Sequence, residues 1–503
     1  MQSSTPALPP AAPALRRLPQ GARKRVRTGI HLNRIPPATR HAALCVLGAL
    51  VFSKLVPAGA NYVFVGCAVF ALLGARQAIQ ALAVMLVVLM ASPAWASASI
   101  KDLRWLVLGT AFLSVMRVAM QARRPLPDGA RRVIVTAVAY AAFQLLVALG
   151  VSRLPSISIF KLISFSTGVF TIVAGFACAR RGRPYWNGWF AGWFGALLLA
   201  GPLCTLWGGG YTKNASGFEG AFEHPQTQGV ILGIGASFFL GRYLLYQRGH
   251  YGYLIAGIIA LAQVYLSQSR TGGFAFLLAG GATVAITALR SEARIQKTRL
   301  VRGMPLAVLA CVGILVTVPG KFSELMDEYV DKGDKTAGNV IHAFEESRES
   351  LMDRSLYNYR QHPIIGIGFG MPSTEFTDLK TLYGIPLSAS VEKGFLPTAI
   401  LEETGLIGCV LAIGLLGTIC LAQIQTGNMA LLWAMLAALL MNLGEAMFFS
   451  MGGLGLFVWL TIGWAMVPAT TARRLPARLR QEKREPTPAG PVAAIAMPSE
   501  RAC

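Results

Sequence analysis

The sequence predicts an all-α protein, a polytopic bundle of about 14 transmembrane helices. Of its 503 residues, 54% are hydrophobic and only 14% are charged, which is more apolar surface than a soluble domain of this length buries. Apolar runs of roughly 15–22 residues recur along the chain, and a helix of about that length crosses the hydrocarbon of a bilayer. Because the runs are continuously apolar, without the alternation of a membrane strand, helices are favoured over a β-barrel.

The predicted spans fall into a group of eleven and a later group of three. The first two are short, and fusing them would change the count. The expected spans are 41–55, 61–75, 78–95, 104–120, 133–150, 157–178, 189–207, 229–246, 252–268, 272–289, 303–319, 397–421, 429–447 and 453–468.

Five regions follow from this pattern. Two tails rich in Pro, Ala and Arg are expected to be disordered, and two helix groups flank one long hydrophilic loop. The regions are the tail 1–40, the helices of 41–319, the loop 320–396, the helices of 397–468 and the tail 469–503.

Basic residues predict the orientation of the bundle. The formal net charge is +23, and basic clusters at 123–132, 180–183 and 290–302 alternate with the predicted spans. With the N-terminus in the cytoplasm, every cluster falls on the cytoplasmic side, as the positive-inside rule requires. The sequence therefore predicts cytoplasmic termini, and it favours anionic membrane lipid over nucleic acid as the partner of this charge.

The loop 320–396 is expected on the opposite, exported side. Connections of this length are usually functional. Within it, "RESLMDRSLYNYRQHP" predicts an amphipathic helix that ends at His362-Pro363. Its apolar residues recur at three- and four-residue intervals, which places Leu351, Met352, Leu356 and Tyr359 on one face.

Several charged residues are predicted on the same exported side. Arg270 lies in "SQSRTGG" between two spans, and Glu402 and Glu403 open a later one. Each has an ordinary explanation, since an arginine at a helix end often extends to the headgroups and a glutamate complements a helix N-terminus. Their joint occurrence indicates a functional site. Lys161, near the start of a span, is expected only to extend to the headgroups.

Three of these motifs, taken in order, resemble the superfamily of O-antigen ligases and Wzy-type polymerases. They are Ser269-Arg-Thr-Gly272 at the start of a span, Arg348 fifteen residues before Pro363, and "LEETGLIG" in the next span. The resemblance covers roughly residues 220–465. It implies a bacterial inner-membrane enzyme with a periplasmic loop, which transfers glycan from an undecaprenyl-pyrophosphate donor without a metal ion or other cofactor.

The resemblance also implies roles for two arginines. Arg270 and Arg348 match the arginines that hold the pyrophosphate in this superfamily. A guanidinium group suits that role because it binds phosphate oxygens bidentately and stays charged at any relevant pH. Such a clamp also stabilises the negative charge that develops on the leaving group.

One departure from the ligase pattern concerns the general base. Ligases carry a His-Asn pair where this chain has Gly394-Phe395. Glu392, two residues earlier, is the first candidate to accept the proton of the attacking hydroxyl. The further candidates for catalysis or substrate binding are Glu403, His224, His362, Lys393 and Glu445. Glu445 faces either the bundle interior or the membrane interface.

The missing pair favours a polymerase that joins lipid-linked repeat units into O-antigen or exopolysaccharide. A ligase acting on lipid A core or protein is the first alternative. A flippase for the same lipid-linked sugars is the second alternative. It is less favoured because the unusual groups lie at one surface, whereas a transporter typically has broken helices at the midplane of the membrane. The expected partners are the lipid-linked glycan, membrane lipids, and the chain-length regulator and flippase of the same pathway.

Overall fold

Helices form every regular element in the described part of the chain apart from two isolated β-bridges. The structure is a computed structural model that describes residues 35–96, 101–122, 125–179, 181–206, 209–211, 217–245, 251–290, 349–373 and 393–468. The helices are α1 Pro37–Leu55, α2 Gly59–Ala71, α3 Ala75–Leu89, α4 Leu103–Met120, α5 Asp128–Gly150, α6 Pro155–Cys178, α7 Arg183–Thr205, α8 Pro225–Leu245, α9 Tyr251–Leu266, α10 Arg270–Leu289, α11 Glu349–Gln361, α12 Leu396–Gln425, α13 Met429–Leu440 and α14 Leu454–Ala465.

The all-α prediction is confirmed. Each predicted span coincides with a helix except 303–319, which lies outside the described residues together with most of the loop 320–396. Within the described ranges, eight helices are long and apolar enough to cross a membrane, whereas α2, α3, α9, α13 and α14 are shorter apolar helices. The chain is therefore a multi-pass helical membrane protein, and the count of 14 crossings remains a prediction.

Burial separates central helices from peripheral ones. In the 18-residue apolar stretch of α8, 83% is buried inside the protein, and in that of α7 67% is buried. The corresponding share is 28% in both α1 and α4. A helix that is apolar on all sides is stable only when its neighbours or lipid cover it. The apolar side chains exposed on the peripheral helices, such as Leu44 and Leu113, suit contact with hydrocarbon.

Tryptophans tie the central helices together. Trp193 of α7 donates its indole N–H to the backbone oxygen of Ala83 at 3.0 Å, and Trp464 of α14 donates to Asn187 Oδ1 at 3.0 Å. In the absence of water these hydrogen bonds and the ring packing around them hold helices in register. Phe190 stacks on Trp464 with ring centroids 4.3 Å apart.

Arginines cap helix ends at one end of the bundle, called here the basic end. Arg183 donates to the backbone oxygens of Val467 and Thr426 at 3.1 and 3.2 Å. Arg290 donates to the Ile424 oxygen at 2.7 Å. A cation beside the last carbonyls satisfies acceptors that have no partner within the helix and complements the helix dipole. These contacts join residues that the charge pattern predicts on one side of the membrane.

The opposite end, called the motif end, holds the connections that carry the sequence motifs. The segment after α3 packs on the segment before α8, where Ser92 N–H donates to the Ala221 oxygen and Glu223 N–H donates to the Met90 oxygen, both at 2.9 Å. Helix α11 packs against α12 at this end. As predicted, α11 is amphipathic: Met352 and Leu356 are half-buried, whereas Asp353 and Arg354 are exposed.

Candidate functional site

A break in helix α12 organises the site. Gly405, in "LEETGLIG", has φ of 61° and ψ of −167°, so the backbone leaves the helical conformation between Thr404 and Leu406. The break removes helical hydrogen bonds inside an apolar span, where an unpaired backbone group is costly. Another part of the chain must therefore supply the missing partners.

The segment after α11, "HPIIGIGFG", supplies those partners. On one side of the break, Ile367 and Gly368 donate their N–H groups to the backbone oxygens of Glu402 and Glu403 at 2.9 and 3.0 Å. On the other side, Leu406 donates its N–H to the Pro363 oxygen at 2.9 Å. Two motifs that are separate in sequence thus form one hydrogen-bonded unit.

Two glycines permit this close backbone contact. A Cβ on Gly405 would meet the backbone of Ile364 and Ile365, and a Cβ on Gly366 would meet the backbone of Glu403 and Thr404. Both residues also have positive φ, 61° at Gly405 and 72° at Gly366, a region that costs little only for glycine. The spacing of glycines in both motifs therefore has a structural reason.

Glu402 anchors α11 and the connection before α12. Its carboxylate accepts hydrogen bonds from Ser355 Oγ at 2.8 Å, Asn358 Nδ2 at 2.6 Å and Ser373 Oγ at 2.9 Å. Lys393 Nζ donates to the same carboxylate at 2.9 Å. The residue is 0% exposed, so these donors replace the water that a buried carboxylate would otherwise lack.

Glu403 joins α12 to the docked segment, to the connection before α12 and to α6. It accepts the Gly370 N–H at 2.7 Å and lies 3.2 Å from Lys393 Nζ and 3.4 Å from Lys161 Nζ. Lys161 belongs to α6 and also lies over the ring of Phe369, 4.9 Å from its centroid. Two buried carboxylates therefore face two ammonium groups, and this balance is what makes the burial of four charges tolerable.

A small cavity lies beside this charge cluster. Lys161, Lys393 and Glu403 line it together with Tyr140 of α5 and Ser450. The polar residues of the cluster thus reach a space inside the motif end of the bundle, as intramembrane ionisable groups generally do.

Arg270 lies at the first position of α10. Ser269 caps the helix by accepting the Gly272 N–H at 3.3 Å. Gly272 packs so closely on Gly229 of α8 that a Cβ on either would overlap the other chain segment, and Thr271 contacts Gly444 in the same way. The arginine is therefore held on a rigid helix start.

The segment 444–450 connects Arg270 to the charge cluster. Gly444 contacts Thr271, the neighbour of Arg270, while Ala446 and Ser450 line the cavity with Lys161 and Glu403. Glu445, which is half-buried, lies between Gly444 and Ala446 in the chain. Arg270, Glu445 and the cluster therefore occupy neighbouring positions at the motif end.

The two predicted histidines lie in different surroundings. His224 is exposed just before α8, and its backbone oxygen accepts the Gln228 N–H at 3.2 Å. Burial raises the pKa of nearby Glu219 above its ordinary value, and the charge of His224 partly opposes that rise. His362 is exposed immediately after α11.

The structure brings Lys393, Glu403 and Glu402 together and leaves two predicted residues untested. Arg348 and Glu392 lie outside the described residues, so the predicted convergence of Arg270 with Arg348 stays a prediction. Among the described residues, no group of three or more His, Cys, Asp or Glu side chains is arranged to hold a metal ion.

Lys161 is the functional candidate that the sequence interpretation missed. The expectation that it extends to the headgroups is wrong, because its side chain is only 17% exposed and pairs with Glu403. The available signal was its place inside an apolar span, where a lysine usually requires a buried partner. Its partner, Glu403, lies 242 positions later in the chain. The sequence alone gives no indication that two residues so far apart are in contact.

Residues 255–413 match the model of the O-antigen ligase family, Wzy_C. The match confirms the resemblance to the O-antigen ligase and Wzy-type superfamily. It contains Arg270, α11, the docked segment and the break in α12, whereas Lys161 and Tyr140 lie outside it. No curated protein is significantly similar to the chain.

Proposed function

We propose that this multi-pass membrane protein, with its O-antigen ligase domain at residues 255–413, is a polymerase of lipid-linked glycan. The donor is an oligosaccharide on undecaprenyl pyrophosphate, and the acceptor is a second lipid-linked repeat unit. The motif end faces the periplasm of a bacterial inner membrane, with the basic end and both termini in the cytoplasm. A chain-length regulator and a flippase of the same pathway are the expected partners.

The reaction exchanges the glycosyl phosphate bond of the donor for a glycosidic bond to the acceptor. The acceptor hydroxyl oxygen forms a bond to the anomeric carbon of the donor, and the bond from that carbon to the pyrophosphate oxygen breaks. Arg270 and Arg348 hold the pyrophosphate and stabilise its charge as it leaves. Glu392 accepts the hydroxyl proton. Since the arginines neutralise the leaving group, these steps are proposed to proceed without a metal ion.

The docked helix break is the observation that carries this proposal. It lies inside the family match and at the same end as Arg270, and it fixes Lys393 by ion pairs to Glu402 and Glu403 at 2.9 and 3.2 Å. Lys393 directly follows Glu392 in the chain. In our proposal the buried cluster therefore positions the segment that carries the base, and Glu403 acts as a positioning residue.

The residues around Lys393 favour a polymerase over a ligase. Gly394, with φ of 66°, and Phe395 stand where a ligase has its His-Asn pair. Lys393 itself points into the two carboxylates, so it does not replace that pair as a base. A ligase remains the second candidate because the matching family model is described by that activity. The family match gives no support to a flippase.

Analysis of glycan length in cells carrying Arg270→Ala tests the proposal. We expect transfer to fall by roughly a hundredfold, because one group that stabilises the leaving group is lost, and Arg270→Lys to restore it only in part. Single repeat units would then accumulate on the lipid carrier. Full-length polymer that stays on its carrier would instead support the ligase. Arg131→Ala, on an exposed residue of the basic end, is the control and should leave glycan length unchanged.

A further inference from the structure

A second, larger cavity lies beside α11 at the motif end, outside the charge cluster. Its volume is about 880 Å³, which is within the range of roughly 300–1,000 Å³ typical of ligand sites. Its lining comes mainly from α11 and the segment that follows it, with Arg153 added by the α5–α6 connection. The polar and aromatic contributors used below are Arg153, Arg354, Tyr357, Asn358, Arg360 and His362.

The cavity shares a wall with the candidate site. Asn358 and Ser373 line the cavity, and each also donates a hydrogen bond to the Glu402 carboxylate, at 2.6 and 2.9 Å. Glu402 in turn pairs with Lys393 at 2.9 Å. A ligand in the cavity would therefore lie against the network that holds the helix break.

Among the described residues, the charged side chains of the lining are mostly positive. Arg153, Arg354 and Arg360 are accompanied there by one carboxylate, Asp353. Arginine side chains suit carboxylates because their planar fork forms two parallel hydrogen bonds. Positive charge of this kind selects an anionic ligand.

The spacing of the arginines suits an extended anion. Arg354 and Arg360 are six residues apart on one helix, or roughly 9 Å along its axis, and Arg153 comes from a different part of the chain. A linear oligomer with a charge on each of several units can contact all three side chains while they stay extended. Tyr357, which is 62% exposed, adds a flat apolar surface of the kind that packs on a sugar ring.

We propose that this cavity binds an acidic glycan, with negatively charged sugars of successive units placed on Arg354, Arg360 and Arg153. This inference rests on the proposed function and extends it: the site holds the glycan of one substrate while the pyrophosphate of the donor is held near Arg270. The sugar class would then be one that carries carboxylates.

Binding to the purified full chain in detergent tests the site without requiring turnover. The probes are an oligogalacturonate of six units, a neutral oligosaccharide of the same length, and inorganic pyrophosphate. We expect the acidic oligomer to bind at least tenfold more tightly than the neutral one, with an affinity that falls as salt is added. Equal binding of the two oligomers would overturn the proposal, and so would pyrophosphate displacing the acidic oligomer at an equal concentration.

Substitution of the exposed arginines locates the binding. The double variant Arg354→Gln with Arg360→Gln should weaken acidic-glycan binding by roughly tenfold, whereas Arg131→Gln at the basic end should not change it. Unchanged melting temperatures show that the variants are folded. Wild-type affinity in the folded double variant would contradict the site. Because binding is measured directly, a chain that binds but does not extend glycan would refute the proposed function alone.

Discussion

Lys161, Lys393, Glu402 and Glu403 form a buried group of four charges drawn from two distant parts of the chain. Removing one member leaves an uncompensated charge in a dry environment, which typically costs about 3–5 kcal/mol. Lys393 contacts both carboxylates and Glu403 contacts both lysines. These two residues therefore matter most to the balance.

At this scale we predict that Glu403→Gln destabilises the protein more than Lys161→Met does, because Glu403 loses two cationic partners and Lys161 loses one. Thermal unfolding in detergent measures both. The double variant should lose less than the sum of the single losses, since each single variant strands the other residue. Strict additivity would contradict the coupling.

The exposed pair of Lys101 and Glu223 is a matched control for this experiment. Their charged atoms are 3.2 Å apart, close to the 3.4 Å between Lys161 and Glu403, but the side chains are 58% and 44% exposed. Water and salt screen such a pair, so Lys101→Met and Glu223→Gln should each cost less than about 1 kcal/mol. A loss as large as that of Glu403→Gln would show that burial is not the cause.

The residue types and their positions in the sequence predicted part of this site. Glu403 and Lys393 were predicted because charged residues cluster near one end of a span. The function of Lys161 was not, since its pairing depends on α6 packing beside the end of α12. Ser355 and Asn358 gave no signal in sequence because polar residues on an amphipathic helix usually face water.

At the scale of elements, the broken helix α12 and the docked segment act as one unit. Each supplies the backbone partners that the other lacks, through four hydrogen bonds between 2.9 and 3.2 Å. Irregular backbone inside a membrane protein is stable only when it is covered in this way. The unit therefore fixes where α11 lies relative to the span.

We predict that Gly405→Ala destabilises the chain by at least about 2 kcal/mol and abolishes glycan transfer, because the new methyl group meets the Ile364 backbone and alanine disfavours positive φ. Unfolding and transfer assays measure the two effects. Gly414, in the same helix, has open space at the Cβ position, so Gly414→Ala should change stability by less than about 1 kcal/mol. Equal effects of the two substitutions would contradict the docking.

The position of the helices was predictable, whereas the break was not. Long apolar runs such as 133–150 and 157–178 coincide closely with α5 and α6 because hydrophobicity alone specifies a span. The run 397–421 is also predicted as one span, with Glu402 and Glu403 near its start. Gly405 by itself does not mark a break, since glycine is common within membrane helices, and the docking partner lies on a separate segment.

At the scale of the whole molecule, the helix-capping arginines and the sequence motifs occupy opposite ends of the bundle. Arginines that cap α12 and neighbouring helices lie at the basic end, and Arg270, α11 and the helix break lie at the motif end. This separation is what the positive-inside rule expects of a protein whose chemistry faces away from the cytoplasm. The contacts within each end join residues that the predicted alternation of spans places on the same side of the membrane.

Labelling of single cysteines in a cysteine-free background tests the orientation. A membrane-impermeant maleimide applied to spheroplasts, cells stripped of their outer membrane, should label Tyr357→Cys at the exposed motif end and spare Arg131→Cys at the basic end. Both native side chains are largely exposed, 62% for Tyr357 and 64% for Arg131, so accessibility is matched. Labelling with the opposite preference would reverse the topology and place the site in the cytoplasm.

The most direct measurement of the central claim uses the purified chain in liposomes with undecaprenyl-pyrophosphate-linked repeat units as the only glycan. The account predicts a ladder of longer lipid-linked products, one released undecaprenyl pyrophosphate for each bond formed, and a ladder that forms roughly a hundredfold more slowly with Arg270→Ala. Repeat units that cross the bilayer without growing, or a ladder that Arg270→Ala makes at the wild-type rate, would contradict it.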